Sequence, residues 1–313
     1  MRGPTRRSER GAAVIMALLI VALATLIVSG LFWRQFVLIR TIENQQTVAQ
    51  TRLLLRGALD WARAILRQQS HPLYDSLTDP WAQPLQETRL DQLGETSPLA
   101  SQATISGAIE DAQARFNLRN LVAPDGSIVP AQLAVLSKLA AMESLPSQAA
   151  EAIAAYVAQS SFPRPPATPG TPASARPVPL VFGEDLSDVP GIDPAAAQNL
   201  EPFVVMLDQS NVPVNFNTAS PEVMAAVIPD LTISDAKQLA ADRDRAYFIN
   251  PGEVQLRLHG RGGTFPAASV ATASQYFLVN GTVRLDRATT RMQALVKRGA
   301  QQGPVEVLWE RER

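Results

Sequence analysis

Active sites and metal centres are built mostly from histidine, cysteine and clustered carboxylates, and this chain of 313 residues offers few of them. Cysteine is absent, which removes thiolate nucleophiles, thiolate metal ligands and disulfides together. The two histidines, His71 before a proline and His259 beside a glycine, have no partner at a spacing that would make a catalytic pair, and both read as surface or turn residues. Gly260-Arg261-Gly262-Gly263 lacks the lysine and the strand-before, helix-after setting of a phosphate loop, and reads as a flexible joint. Glu184, Asp185 and Asp188 stand too isolated to surround a hard cation, which needs several oxygen ligands. The alternating run Asp242-Arg243-Asp244-Arg245 reads as a solvated helix end. With a net charge of −1, no broad basic surface exists to hold a phosphate backbone. The side chains therefore point away from catalysis and from nucleic acid.

The elements that would carry a different function begin at the N-terminus. Arg2, Arg6, Arg7 and Arg10 precede a run from Ala12 to Trp33 of 22 residues without one charge. As a helix this run spans about 33 Å, enough to cross the hydrocarbon core of a bilayer. The basic cluster ahead of it places the N-terminus in the cytoplasm and the rest of the chain outside. Beyond Trp33 the apolar residues Phe36, Ile39, Ile42, Val48, Leu55, Leu59, Ala62, Ile65 and Leu66 keep helix-compatible spacings, and no proline occurs between Ala12 and Pro72. One helix, with Gly30 and Gly57 as its weak points, is predicted to leave the membrane and run to about residue 69.

The exported part reads as a mixture of strands and short helices. Trp81 in a proline-bordered loop is a packing anchor, Ala103–Ile109 alternates as a half-buried strand does, and the next segment is Arg115-Phe116-Asn117-Leu118-Arg119-Asn120-Leu121. Ala131–Ala158 holds two helices separated by Pro146, and Ser161–Pro179 packs seven prolines into a linker. Pro190-Gly191-Ile192-Asp193 opens a further helical unit. Asn215-Phe216-Asn217-Thr218-Ala219-Ser220 then leads into a helix that Thr218 or Ser220 would cap. A second helix ends near Arg243, and Pro251-Gly252 reads as a turn. Three strand-like runs close the chain, Tyr276–Leu285, Arg291–Arg298 and Val305–Trp309, with turns at Asp286-Arg287 and 299–303; Asn280-Gly281 is an alternative turn inside the first.

These features resemble two families. Asn215-x-Asn217-Thr218-Ala219 before two short helices is similar to a helix-hairpin-helix or SAM-like fold. Its turn, Pro229-Asp230-Leu231, lacks glycine, and residues 213–260 carry four Lys/Arg against six Asp/Glu, which would repel phosphate. Arg10-Gly11 followed by the apolar run resembles a type IV prepilin leader. That likeness implies cleavage by prepilin peptidase between Gly11 and Ala12 and retention of the helix. Met16 then occupies the fifth mature position, where most such subunits carry a glutamate that pairs with a neighbour's amine. A carboxylate without a partner is costly in a bilayer, so methionine suits a subunit with none above it.

The Trp81-Ala82 pair, Arg115-Phe116-Asn117-Leu118, Asn215-x-Asn217-Thr218-Ala219 and the terminal strands together resemble type II secretion protein K, the largest minor pseudopilin. That resemblance implies an α+β fold. A leader (1–11), a transmembrane helix (12–33) and a periplasmic stem (34–69) would precede a pilin-like antiparallel head (70–125 and 261–313), interrupted by a helical insertion (126–260). It implies a place at the tip of the secretion pseudopilus, with other minor pseudopilins, the major pseudopilin and the inner-membrane assembly platform as partners. The resemblance leaves calcium open as a ligand, since the family's helical domain can bind it, but between Ala152 and Gly183 there is no Asp or Glu, so the acidic loop is missing. Two rival readings are a membrane-tethered DNA-binding protein and a plain single-pass anchored structural protein. Mass spectrometry of the protein from cells with prepilin peptidase is expected to show a chain beginning at Ala12; intact Met1 would overturn the leader reading.

Overall fold

In the computed structural model, residues 9–68, 71, 73–94, 100–161, 177–286, 288–300 and 303–312 are described. Most of the leader, most of the proline-rich linker and Arg287, in the turn after Leu285, lie outside them. The first element, α1 (Glu9–Arg67), is one uninterrupted helix of 59 residues, about 88 Å long. Gly30 and Gly57 do not break it, because a glycine weakens a helix by about 1 kcal/mol without blocking its hydrogen bonds. The membrane-spanning part is exposed throughout.

Beyond Thr47 the helix gains a covered side. Leu55, Leu59, Ala62 and Leu66, at spacings of four, three and four, form one stripe that is fully buried. They pack on an antiparallel sheet of β1 (Leu85–Arg89), β2 (Ala103–Asp111), β7 (Tyr276–Leu285), β8 (Ala288–Arg298) and β9 (Val305–Glu312), adjacent in that order. Strand alternation sorts β7 between two cores: Phe277, Val279 and Val283 face the stem, while Tyr276 and Leu278 face the other side. Trp81 is buried against Phe277, ring centroids 5.2 Å apart, so it anchors the loop as its setting suggested.

The last three strands form the expected meander. Asn280-Gly281 is no turn: Asn280 pairs with Gln293 and Gly281 with Met292 in a continuous ladder. The glycine there belongs to a close approach, since a Cβ on its cross-strand neighbour Gly107 would lie 2.7 Å from the Asn280 carbonyl oxygen.

The chain leaves the sheet at the end of β2 and returns at the start of β7, whose ends pair as Asp111 with Phe277. Between them lies a helical unit. It comprises α2 (Pro130–Met142), α3 (Ala149–Ser161), α4 (Pro194–Leu200), α5 (Pro221–Val227), α6 (Ile233–Arg245) and α7 (Pro251–Arg257). Two short parallel pairs close it, β3 (Phe116–Asn117) with β4 (Val204–Val205) and β5 (Val214–Asn215) with β6 (Val270–Ala271). Its core takes in Phe116, Leu121, Leu136, Ile153, Phe216, Leu239, Phe248 and Val270, and so reaches past both ends of the expected 126–260.

Two local expectations are corrected. Pro251-Gly252 begins α7 rather than a turn, because Asn250 caps the helix and proline at its first position sacrifices no hydrogen bond. The second half of the glycine run 260–263 is packed rather than free: the Gly263 amide donates to the Pro229 carbonyl at 2.6 Å, and Gly262, at φ +72°, lies against Ile228 and Leu231. Replacing Leu59 with alanine is expected to destabilise the exported part by about 2–5 kcal/mol through the cavity left at the seam. The same change at exposed Leu53 should stay within about 0.5 kcal/mol, and equal effects in thermal unfolding of the detergent-solubilised protein would refute this account of the seam.

Candidate functional site

For a chain with so few catalytic side chains, the informative arrangements are the bare apolar helix and the joint that fixes the helical unit to the sheet. Gly11 and Ala12 lie inside the first turns of α1. Met16 is 64% exposed on the same bare surface as Val14, Leu18 and Leu19, so the region is built to meet lipid or another helix.

The joint gathers most of the remaining singled-out residues. Asp111, buried at the end of β2, is its hub. One of its carboxylate oxygens, Oδ2, accepts from Asn215 Nδ2 at 2.9 Å, Thr218 Oγ1 at 2.5 Å and Ser274 Oγ at 2.6 Å; the other accepts from the Gln113 amide at 2.8 Å. Side chains from the departing strand, the helical unit and the returning segment thus meet on one carboxylate. Asn217 adds a second tie, donating to the carbonyls of Phe248 and Thr272 and accepting from the Phe248 amide. Asn117 makes a third: its oxygen accepts from the amides of Arg119 and Leu207, and its nitrogen donates to the Gln209 carbonyl. Such short amides serve here because each bonds backbone in both directions at once.

Arg115 does not join this network, pairing instead with Glu110 at 2.6 Å on the outside of the sheet. Ala219 is buried, and its carbonyl accepts from Arg243 at 2.7 Å. That contact corrects the reading of residues 242–245 as a solvated end, because the Arg243 guanidinium turns inward to the carbonyls that finish the Asn-x-Asn-Thr-Ala turn. Ser220 caps α5, and Thr218 is spent on Asp111.

Several members of the joint had no signature in the sequence. Asp75, in the loop after the stem, accepts from the Ser274 amide at 2.7 Å and from Arg298 at 2.6 Å; both partners of this ion pair are almost wholly buried. Gln113 bridges the Pro213 carbonyl to the Gln275 amide. His71 lies 3.6 Å from Asp79 and stacks on Tyr74. Lys138 covers the Pro229–Leu231 turn, its ammonium donating to the carbonyls of Ala225 and Leu231 at 2.5 and 2.8 Å. Among the described residues, no group of three or more His, Asp or Glu side chains is placed to hold a metal ion.

Comparison with known proteins decides between the two resemblances. Family models described as type II secretion system protein K match residues 114–209 and 214–273, which hold the helices of the helical unit. The chain belongs to the type II secretion system protein K family. It is similar along most of its length to the type II secretion system protein K of Pseudomonas aeruginosa, 27% identical over 94% of this chain and 90% of that one. The corresponding protein of Pectobacterium carotovorum subsp. carotovorum is 25% identical over 93% of each chain, and that of Klebsiella pneumoniae 28% identical over 75% of each. A chain in the crystal structure of the GspK-GspI-GspJ complex from the enterotoxigenic Escherichia coli type 2 secretion system shares the fold, with a TM-score of 0.61 at 20% identity over 87% of this chain and 98% of that one. The protein is accordingly a minor pseudopilin of type II secretion, and its long apolar N-terminal helix fits a single-pass membrane anchor.

Burial raises the Asp111 carboxyl from 3.8 to about 6, a rise increased by the Asp75 charge and opposed by the bonds from Ser274, Thr218 and Gln113. A raised carboxyl pKa means the folded state holds its proton more tightly than the unfolded chain does. This contribution to stability is therefore complete below pH 4 and lost as pH rises through about 6. Stability is expected to fall across that window by on the order of 3 kcal/mol from this group. In Asp111→Asn the joint should be weaker but its pH slope flatter; an unchanged slope in unfolding measured from pH 4 to 7 would remove Asp111 as the titrating group.

Proposed function

We propose that this protein caps the type II secretion pseudopilus, with the apolar rod crossing the inner membrane and the head in the periplasm. In this reading prepilin peptidase removes residues 1–11, and the freed Ala12 begins a helix that packs with the stems of other minor pseudopilins. Major subunits would then be added beneath by the inner-membrane assembly platform.

The observation that carries the reading is the rigid joint at Asp111. It holds an entire helical unit, with its own core, on the sheet of a subunit whose helix bears Met16 where a carboxylate would otherwise recruit a neighbour. A filament layer has little lateral room for so large a head, and the top of the filament has no layer above it. The presence of a chain of this fold in the GspK-GspI-GspJ complex supports minor pseudopilins as partners. The Asn-x-Asn-Thr-Ala segment, shared with nucleic-acid-binding hairpins, serves here to tie the unit to the sheet through Asp111, Phe248 and Thr272. A surface tag on the helical unit, visualised on sheared pseudopili, is expected to mark one end of each filament; labelling along the sides would overturn the placement.

A further inference from the structure

The anchor's apolar surface does not stop where its uncharged run stops. Past Trp33 the helix carries Phe36, Val37, Leu38, Ile39 and Ile42, and only then the polar stretch Glu43-Asn44-Gln45-Gln46-Thr47. All five apolar residues are between 47% and 60% exposed. Successive helix residues turn by about 100°, so Phe36–Ile39 alone reach most of the way round the rod. That distribution separates this collar from the stem beyond it. Leu55, Leu59, Ala62 and Leu66 form one stripe, which a single packed surface covers, whereas an apolar ring calls for a medium that surrounds it.

Length says how deep the ring lies. From Ala12 to Ile42 the helix measures about 46 Å, against about 30 Å for the hydrocarbon core and about 40–45 Å for a bilayer with its headgroups. Bringing all of it into hydrocarbon would take a tilt of about 50°, beyond the roughly 40° that membrane helices reach. With Ala12–Trp33 in the hydrocarbon, the collar falls in the headgroup layer on the side of the head.

The charges there suit that layer. Arg34 and Arg40 are the only charged residues between Ala12 and Ile42. Arg40 stands about 10 Å beyond Trp33, but its guanidinium turns back toward the membrane and lies 5.4 Å from the centre of the Phe36 ring. It thus comes within the roughly 5–8 Å that headgroups occupy. Its exposed ion pair with Glu43, at 3.2 Å, engages only Nη1 of a group with five N–H donors. Arg34 makes no ion pair among the described residues, and its long stem can carry its charge outward from the hydrocarbon edge. Trp33, its ring centroid 6.4 Å from that of Phe36, marks the boundary at which tryptophan collects in membranes.

We propose that Trp33–Ile42 is a lipid-binding collar, in which Arg34 and Arg40 hold the phosphates of anionic phospholipids in the leaflet on the side of the head and so fix how far the rod stands out of the membrane. This rests on the reading of the helix as a membrane anchor, and it adds the class of lipid that the anchor selects. The full-length chain would be reconstituted in phosphatidylcholine vesicles with its leader arginines Arg2, Arg6, Arg7 and Arg10 replaced by glutamine, and spin-labelled phosphatidylglycerol or phosphatidylcholine would report the lipid it immobilises. Phosphatidylglycerol is expected to associate about threefold more strongly or better. Adding Arg34→Gln and Arg40→Gln should bring the two lipids level without changing the melting temperature of the exported part. Equal association of both lipids with the unsubstituted collar, or a preference that survives its two substitutions, would overturn the proposal. Inorganic phosphate should displace the lipid no better than chloride at equal ionic strength; selective displacement by phosphate would make this a free-anion site and overturn the lipid assignment. The absence of native cysteine allows depth to be read as well. An impermeant maleimide should label Val37→Cys about tenfold more slowly than Gln46→Cys in the vesicles, and equal rates would place the collar in water and overturn the proposal. Labelling of Val21→Cys as fast as Gln46→Cys would instead overturn the anchor reading on which it rests.

Discussion

A helix that leaves a bilayer must find cover for its apolar side within a few turns, and here the cover is the protein's own sheet. Leu55, Leu59, Ala62 and Leu66 carry the anchor into the head, so membrane rod and globular part are one rigid element. Everything downstream is arranged around that seam. Phe277, Val279 and Val283 alternate toward it, Trp81 closes its end, and the reverse face of β7 is left for the helical unit. A flexible tether would hold the head near the membrane equally well. Only a continuous helix passes a displacement at the membrane directly to the head, which is the mechanical property a filament subunit needs.

The second constraint is the insertion point. Breaking an antiparallel sheet between neighbouring strands is cheap only when the two strand ends stay together, and β2 and β7 remain paired up to Asp111 and Phe277. The inserted unit then behaves as a side branch held at its two connections. A buried carboxylate with four donors is a strong directional fastener, but it is costly to keep charged, which is why its pKa rises toward 6. The neighbouring Asp75–Arg298 pair carries a related cost, leaving Asp75 Oδ1 and Arg298 Nη1 buried with no hydrogen-bond partner among the described residues. Polar burial of this kind fixes the orientation of the unit more sharply than an apolar contact would.

Much of this was legible in the amino-acid order. The 22 uncharged residues, the helical spacing beyond them, the two helices around Pro146 and the three closing strands follow from local periodicity, which tertiary packing had no reason to override. The segments around Phe116 and Asn215 stood out by resemblance, and the structure places them together at the joint. Where local signals misled, the cause was a cap from the adjoining residue or a contact made elsewhere in the chain. Pro251-Gly252 has the composition of a turn but receives a cap from Asn250, and Arg243 has the composition of a surface but finds the carbonyls of Phe216 and Ala219.

Periodicity and charge along the chain determined that this protein is a membrane-anchored rod with an α+β head, because both are properties of near neighbours in sequence. The hub at Asp111, its companions Asp75, Ser274 and Arg298, and the close approach at Gly107 and Gly281 were decided only by the folded chain. Their partners lie as far as 223 residues apart. A carboxylate's burial or a glycine pair's close approach depends on what the rest of the chain brings against it, and no local pattern records that.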